Sequence, residues 1–208
     1  GSRGLGDVYK RQDTMQFLNR PFISNNQPGL KENHFFSLSF SLDRDRLLIN
    51  NDILRRIRTI FDFNEKEMIT VFWLSDYEVT REQISDWLKK YDDPAYQPCS
   101  DNQLAIFLNG LINHKRGKKE GVQAEPEQYL TNNIIFMKLK IALNLKADDV
   151  LQILSLVDTD ISKHELSAFF RKASNKHYRE CKDQILRDFL NGVQLKYRDN
   201  VQLKADQE

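Results

Sequence analysis

Two cysteines, Cys99 and Cys181, stand 82 positions apart, and each precedes a segment with apolar residues at helical spacing. A thiol at a helix N-terminus can be lowered in pKa until it becomes a reactive thiolate. Such a nucleophile works with a base. His177 lies four residues before Cys181, but the matching position in the first half is Ala95. The opposing reading is a small buried side chain in a tight turn, which needs no partner and suits both positions equally. Zinc requires four ligands from one neighbourhood, and His114, His164 and His177 have no such spacing. Phosphate loops, nucleophile triads and paired carboxylates are also missing. No catalytic, cofactor-binding or metal-binding residue is assigned, and the chain reads as a non-enzyme without a cofactor.

Two surface chemistries remain. Glu65 to Lys90 can be read as a helix-turn-helix, with Thr80 to Lys90 as a recognition helix after a short turn. Glu82 and Asp86 would then face the groove and repel phosphate. The second half is better suited, because Lys163, Ser167, Arg171 and Lys172 point outward on a helical projection. Lys163, Arg171 and Lys172 are therefore the candidate nucleic-acid contacts, against the plain alternative of a solvated helix face. The other candidate is Trp73. Phe72 and Trp73 cannot both face one core from adjacent helical positions, so an exposed Trp73 is expected to contact a partner.

Both sets of candidates must be positioned by a duplicated unit. Residues 50–114 align with residues 132–196 at a constant offset of 82, without a gap. Phe107-Leu108-Asn109-Gly110 recurs unchanged as Phe189-Leu190-Asn191-Gly192, and Asn50-Asn51 recurs as Asn132-Asn133. A fixed period of this kind marks one structural unit used twice. Each copy reads as four helices. The stripe Ile53, Leu54, Ile57, Ile60 and Phe61 opens the first copy, and Ile135, Phe136, Leu139, Ala142 and Leu143 open the second. Second-helix stripes are Met68, Val71, Phe72 and Leu74, then Val150, Leu151, Leu154 and Leu156. Asn64 with Glu67, Thr80 with Gln83, and Ser162 with Glu165 have capping-box spacing. The paired asparagines read as helix caps, with Asn51 or Asp52 supplying the first capping oxygen. Glycine inside an apolar helix costs about 1 kcal/mol relative to alanine, so Gly110 and Gly192 imply close helix approach, with the adjoining asparagines bonded to a neighbouring loop.

The expected fold is all-α, with helical repeat 1 at 50–117, a linker at 118–131, helical repeat 2 at 132–199 and a polar tail at 200–208. The linker contains Gly117, Gly121 and Pro126, and its composition predicts separate bundles lying side by side. Residues 1–49 read as a segment outside the repeats. Ser2 to Gln12 resembles the in-frame translation of a sequencing adaptor, and residues 13–49 read as translated upstream sequence or a disordered arm with a short strand at 35–42. The charges nearly cancel, at 31 basic against 30 acidic side chains, so no global field recruits nucleic acid or an anionic membrane. No apolar run is long enough to cross a bilayer.

The Asn50-to-Arg56 block, the Phe107-to-Ile112 helix followed by Lys115-Arg116-Gly117, and the Asn132-Asn133-Ile134 and Arg179-Glu180-Cys181 blocks resemble the YehS-like bacterial family. That family carries two tandem copies of one small domain of unknown function, and the resemblance spans about residues 49–199. It implies a soluble cytoplasmic bacterial protein and transfers no functional residue. The functional expectation is a cytoplasmic interaction protein whose tandem repeats bind a protein partner or self-associate. The alternative is a regulatory protein that contacts DNA or RNA through repeat 2.

Overall fold

A computed structural model of the chain describes residues 47–205, with side chains as far as Tyr197. The expectations for the adaptor-like segment and for a strand at 35–42 lie outside the described residues. Residues 50–208 make up one unit, which holds both repeats. Among the described residues there are eight helices and no strand. Repeat 1 contains α1 (Asn50–Phe61), α2 (Glu65–Trp73), α3 (Arg81–Leu88) and α4 (Asp101–Arg116). Repeat 2 contains α5 (Asn132–Ala142), α6 (Ala147–Ser155), α7 (Lys163–Phe169) and α8 (Asp183–Ala205). Every helix start in repeat 2 is its repeat 1 counterpart moved by 82 residues. The expected polar tail is corrected in part, since α8 continues past 199 to Ala205.

Local signals place the helix starts. Asn64 Oδ1 accepts from Glu67 N at 3.1 Å, and Asn64 N donates to Glu67 Oε2 at 2.7 Å. The same reciprocal box closes Thr80 with Gln83, Ser100 with Gln103, and Ser162 with Glu165. Each box satisfies amide donors that the first helical turn leaves without a partner. The stops follow one pattern as well. Asp62, Asp76, Asn144 and Asp158 have φ between 52° and 56°, and they form two pairs at the repeat offset. Each is the left-handed residue of a Schellman turn. Phe63 N donates to Arg58 O at 3.0 Å, and Leu145 N donates to Lys140 O at 3.0 Å.

Each repeat folds around its own aromatic core. Phe72 lies 5.5 Å from Trp87 and 5.1 Å from Phe107 between ring centres. In repeat 2, Phe136 takes over, 4.4 Å from Phe189 and 6.4 Å from Phe169. The equivalents of Phe72 and Phe136 are Leu154 and Leu54, all fully buried. A phenylalanine on the second helix in one copy is thus exchanged for one on the first helix in the other, which keeps the core filled. Several expected core positions are corrected, and Phe61, Leu143 and Leu151 are only half-buried. Leu74 is only half-buried because α2 ends before it, and Leu156 is 49% exposed at the end of α6.

The repeats are not detached bundles. Helix α1 packs on α8 and α4 packs on α5, so each repeat lays its first helix on the fourth helix of the other. Exchange of the same two surfaces is the pattern of a two-fold interface. Arg56 and Lys138 occupy equivalent positions in it. Arg56 donates to Asn191 Oδ1, and Lys138 Nζ donates to Asn109 Oδ1 at 2.5 Å. The linker is fastened too. Asn109 Nδ2 donates to Ala124 O at 3.2 Å, as the motif suggested, and Asn102 Nδ2 donates to Glu127 O at 3.3 Å. Asp101 Oδ2 accepts from Leu130 N at 2.9 Å.

The glycine beside each of these asparagines faces inward, towards the second helix of its own repeat. A Cβ at Gly110 would fall 1.8 Å from the Val71 carbonyl oxygen, and one at Gly192 would fall 2.2 Å from the Ile153 carbonyl oxygen. Backbone atoms cannot yield as a flexible side chain can. Gly110→Ala and Gly192→Ala should therefore each lower the unfolding free energy by roughly 2 kcal/mol or more, despite a helix preference of about 1 kcal/mol for alanine. Urea denaturation of the two variants tests this, and a neutral result would mean that the helices stand further apart.

Candidate functional site

The approach from α3 to α4 carries Cys99, weighed in the sequence as a reactive thiol or a small buried side chain, and it is built around an asparagine. Asn51 is buried in the first turn of α1. Its Nδ2 donates to Trp87 O and Gln97 O, both at 2.8 Å. Its Oδ1 accepts from Cys99 N at 2.9 Å and from the Tyr96 hydroxyl at 3.1 Å. Every hydrogen-bonding position of the carboxamide is used. Asn133 does the same in repeat 2, donating to Phe169 O and Arg179 O at 2.8 Å and accepting from Cys181 N and the Tyr178 hydroxyl at 3.0 Å. Asn50 Nδ2 reaches Cys99 O at 3.1 Å and Asp101 Oδ1 at 2.7 Å, and Asn132 Nδ2 reaches Asp183 Oδ1 at 2.6 Å. The reading of these asparagines as helix caps is corrected. Thr131 caps α5, and the asparagine pairs fasten the α3–α4 and α7–α8 loops.

This clamp decides the chemistry of the cysteines. Cys99 and Cys181 are 5% and 1% exposed, and each Sγ faces the carbonyl of the next residue at 3.8 Å. Burial pushes both thiols up to about 12, assisted by the negative charge of Asp101 at one and of Asp183 and Glu180 at the other. A helix N-terminus does not produce a thiolate where desolvation is this strong. The small-buried-residue reading holds for both copies. His177 is exposed, with its amide bonded to Asn175. Among the described residues no group of three or more histidine, cysteine or acidic side chains could hold a metal ion.

The expected surface residues are scattered over separate elements. Trp73 is 63% exposed beside a fully buried Phe72, as adjacent helical positions require. Lys163 sits at the first position of α7 and pairs with Asp148 at 2.6 Å. Arg171 and Lys172 lie beyond the end of α7, half-buried and exposed respectively, so no single helix face carries all three cations. The helix expected as a recognition helix in repeat 1 is α3, eight residues long, with Ile84 and Trp87 buried.

A feature absent from the sequence reading is an apolar stripe on α5. Met137 and Ile141 are 39% and 45% exposed, one turn apart, with half-buried Ile134 and Leu145 extending the line. In repeat 1 the matching positions are Asp52, Arg55, Thr59 and Phe63. There Arg55 pairs with Asp52 and donates to Lys89 O at 2.7 Å. Comparing the two copies position by position would have exposed this difference.

Two outcomes follow from the clamp. Asn51→Ala should cost roughly 3 kcal/mol or more in urea unfolding, because it leaves buried donors and acceptors without partners; a loss under about 1 kcal/mol would mean that water replaces the amide. The thiols should react with maleimide at neutral pH only as fast as the chain opens. Their folded pKa near 12 lies above the ordinary thiol value of 9.0, so the folded state holds protons that the unfolded state releases. The resulting stability is complete below pH 9 and is lost as the pH climbs from 9 towards 12, by on the order of 1 kcal/mol per thiol at pH 10. Replacing both cysteines with alanine should flatten the alkaline slope of stability against pH, and an unchanged slope would refute the assignment.

Comparison with known proteins adds a relationship. A family model described as a protein of unknown function (DUF1456) matches the chain twice, over residues 50–117 and 132–199. The uncharacterized protein YehS of Escherichia coli (strain K12) is 45% identical over 147 residues, covering 70% of this chain and 94% of that protein. No solved structure matches the chain. Both family matches begin at the Asn-Asn pair that clamps each module, and their starts differ by the same 82 residues as the helix starts. The chain therefore belongs to the DUF1456 family, as a YehS-like member with two tandem all-α modules.

Proposed function

We propose that the protein is a non-enzymatic interaction protein, working in the bacterial cytoplasm, that offers a preformed helical surface to a protein partner. The observation that supports this most is the outward stripe of α5. Seven of the eleven α5 residues are buried, yet Met137 and Ile141 remain open where repeat 1 has an arginine and a threonine. Exposed apolar residues in line on a well-packed helix suit an apolar helix or loop edge of another protein. Trp73 is a second contact point of the same character. The buried thiols favour a non-enzymatic role. Two free cysteines and the lack, among the described residues, of a helix able to cross a membrane are in keeping with the cytoplasm.

The nucleic-acid reading through Lys163, Arg171 and Lys172 draws less support. One of these cations is already paired with Asp148, and the other two lie off the helix. The two readings separate in one set of experiments. Met137→Lys with Ile141→Glu should leave stability within about 0.5 kcal/mol of the parent, since both side chains are exposed, while abolishing specific capture of a protein from host lysate. Trp73→Ala should weaken that capture. Sedimentation of the purified chain covers self-association, where a dimer should be lost in the double variant. A monomer with the same captured proteins in parent and variants would overturn the proposal. Salt-sensitive binding to DNA, lost on changing Lys163, Arg171 and Lys172 to Glu, would establish the alternative.

A further inference from the structure

The two-fold relation between the repeats breaks down at one place. Phe61, at the end of α1, and Leu143, just after α5, are equivalent positions, and so are Lys115 on α4 and Tyr197 on α8. On the first side the space is filled. The Phe61 ring meets Tyr197 edge-on at 5.2 Å and Phe63 at 5.5 Å, and Lys115 Nζ lies 4.1 Å from the centre of the Phe61 ring. His114 closes the group, edge-on to Phe63 at 5.4 Å. On the second side leucine replaces phenylalanine. A cleft of about 380 Å³ opens there between the repeats, lined by Lys115, Arg116, Ala142, Leu143, Asn144 and Tyr197.

That volume lies within the range of small-molecule sites, roughly 300 to 1,000 Å³. Its floor, Ala142 and Leu143, is apolar. Its rim is cationic and hydrogen-bonding. Among the described residues no carboxylate forms an ion pair with Lys115 or Arg116, although most other ion pairs in the unit have formed around their lysines. Partial burial holds the Lys115 ammonium below the usual lysine range, with the charge of Glu67 opposing that shift. Burial also keeps the Tyr197 hydroxyl protonated and able to donate. A ligand that brings negative charge would restore what Lys115 has lost in solvation.

We propose that this inter-repeat cleft binds a small anion with an apolar or aromatic body, its carboxylate or phosphate held by Lys115 and Arg116 and its body resting on Ala142 and Leu143 beside Tyr197. The anion gains two cations in a partly desolvated setting. The body takes the space left open by a leucine at position 143, where the equivalent position in repeat 1 is Phe61. The cleft takes Ala142, Leu143 and Asn144, which fall between Ile141 and Leu145 of the stripe. Its cations Lys115 and Arg116 lie on α4 outside the stripe, so substitution at Lys115 tests this site apart from the docking reading.

The test uses the full chain and phenyl phosphate as the probe, followed by two-dimensional amide NMR. Saturable shifts should cluster at residues 115–116, 142–144 and 197. Inorganic phosphate and benzyl alcohol, which carry only the head or only the body, should each bind at least about tenfold more weakly. Lys115→Gln should weaken phenyl phosphate about tenfold or more, with a fall in melting temperature no larger than the loss of the ammonium–ring contact to Phe61 accounts for. Leu143→Phe should fill the cleft, remove binding and leave the melting temperature unchanged or raised. Shifts spread over the surface, no saturation at millimolar probe, equal binding of benzyl alcohol, or binding unaffected by Lys115→Gln would each overturn the proposal. Should Leu143→Phe unfold the chain, the Lys115→Gln and benzyl alcohol comparisons still decide.

Discussion

The segment joining α3 to α4 contains two prolines and no helix or strand, and most of it is exposed, but it enters α4 through a buried Cys99 whose amide lies against the start of α1. Two turn bonds form within it, Asp93 N to Lys90 O and Tyr96 N to Asp93 O, both at 3.0 Å, and the groups nearest α1 take their partners from that helix. Asn51 supplies two donors and two acceptors from one side chain, and Asn133 does so at the matching loop. Because the amide reaches the end of α3, the loop and the approach to α4 together, it sets the angle between the first helix and the last. Everything that touches α4 or α8 inherits that angle, including the contact between repeats. The same arrangement seals the cysteines and removes them from chemistry.

Between the repeats, the Asn-Gly pair of each last helix does two jobs. The glycine of Asn-Gly brings the second helix of its own repeat close enough for backbone contact. The asparagine beside it faces the opposite repeat and accepts from Arg56 or Lys138. Lys138 is nearly buried and also pairs with Glu127 of the linker at 2.9 Å. A buried cation is costly unless its partners are in place. The linker is thereby part of the packing and more than a tether, despite its polar composition.

Much of the architecture was readable from residues close in sequence. The capping boxes at Asn64, Thr80 and Ser162 involve residues three apart, and the helices start where those boxes place them. The 82-residue period gave the number and equivalence of the helices. What the chain concealed was of longer range. The partners of Asn51 lie 36 to 48 residues away, so a side chain at a helix start looked like a cap. The helix stops were hidden for another reason. Left-handed positions are usually glycine or asparagine, and three of the four here are aspartate. Leu156 was taken for core because its apolar spacing continues past the end of α6. The positions of Lys163, Arg171 and Lys172 depended on α7 running further than its seven residues. As for the candidate sites, the exposure of Trp73 was legible from one adjacent pair. The α5 stripe and the inter-repeat cleft depend on how two halves meet, and no single segment encodes that.

The exchange of first and fourth helices is the geometry that two identical single-module chains would adopt on pairing. Joining them through one linker replaces a bimolecular encounter with an intramolecular one, at an effective concentration in the millimolar range for a short tether. Fusion also lifts a restriction. A symmetric pair must repeat any change on both sides of its axis, whereas a fused chain can alter one side alone. Phe61 against Leu143 and Arg55 against Met137 are changes of that kind, and a homodimer would have had to accept or reject each of them twice.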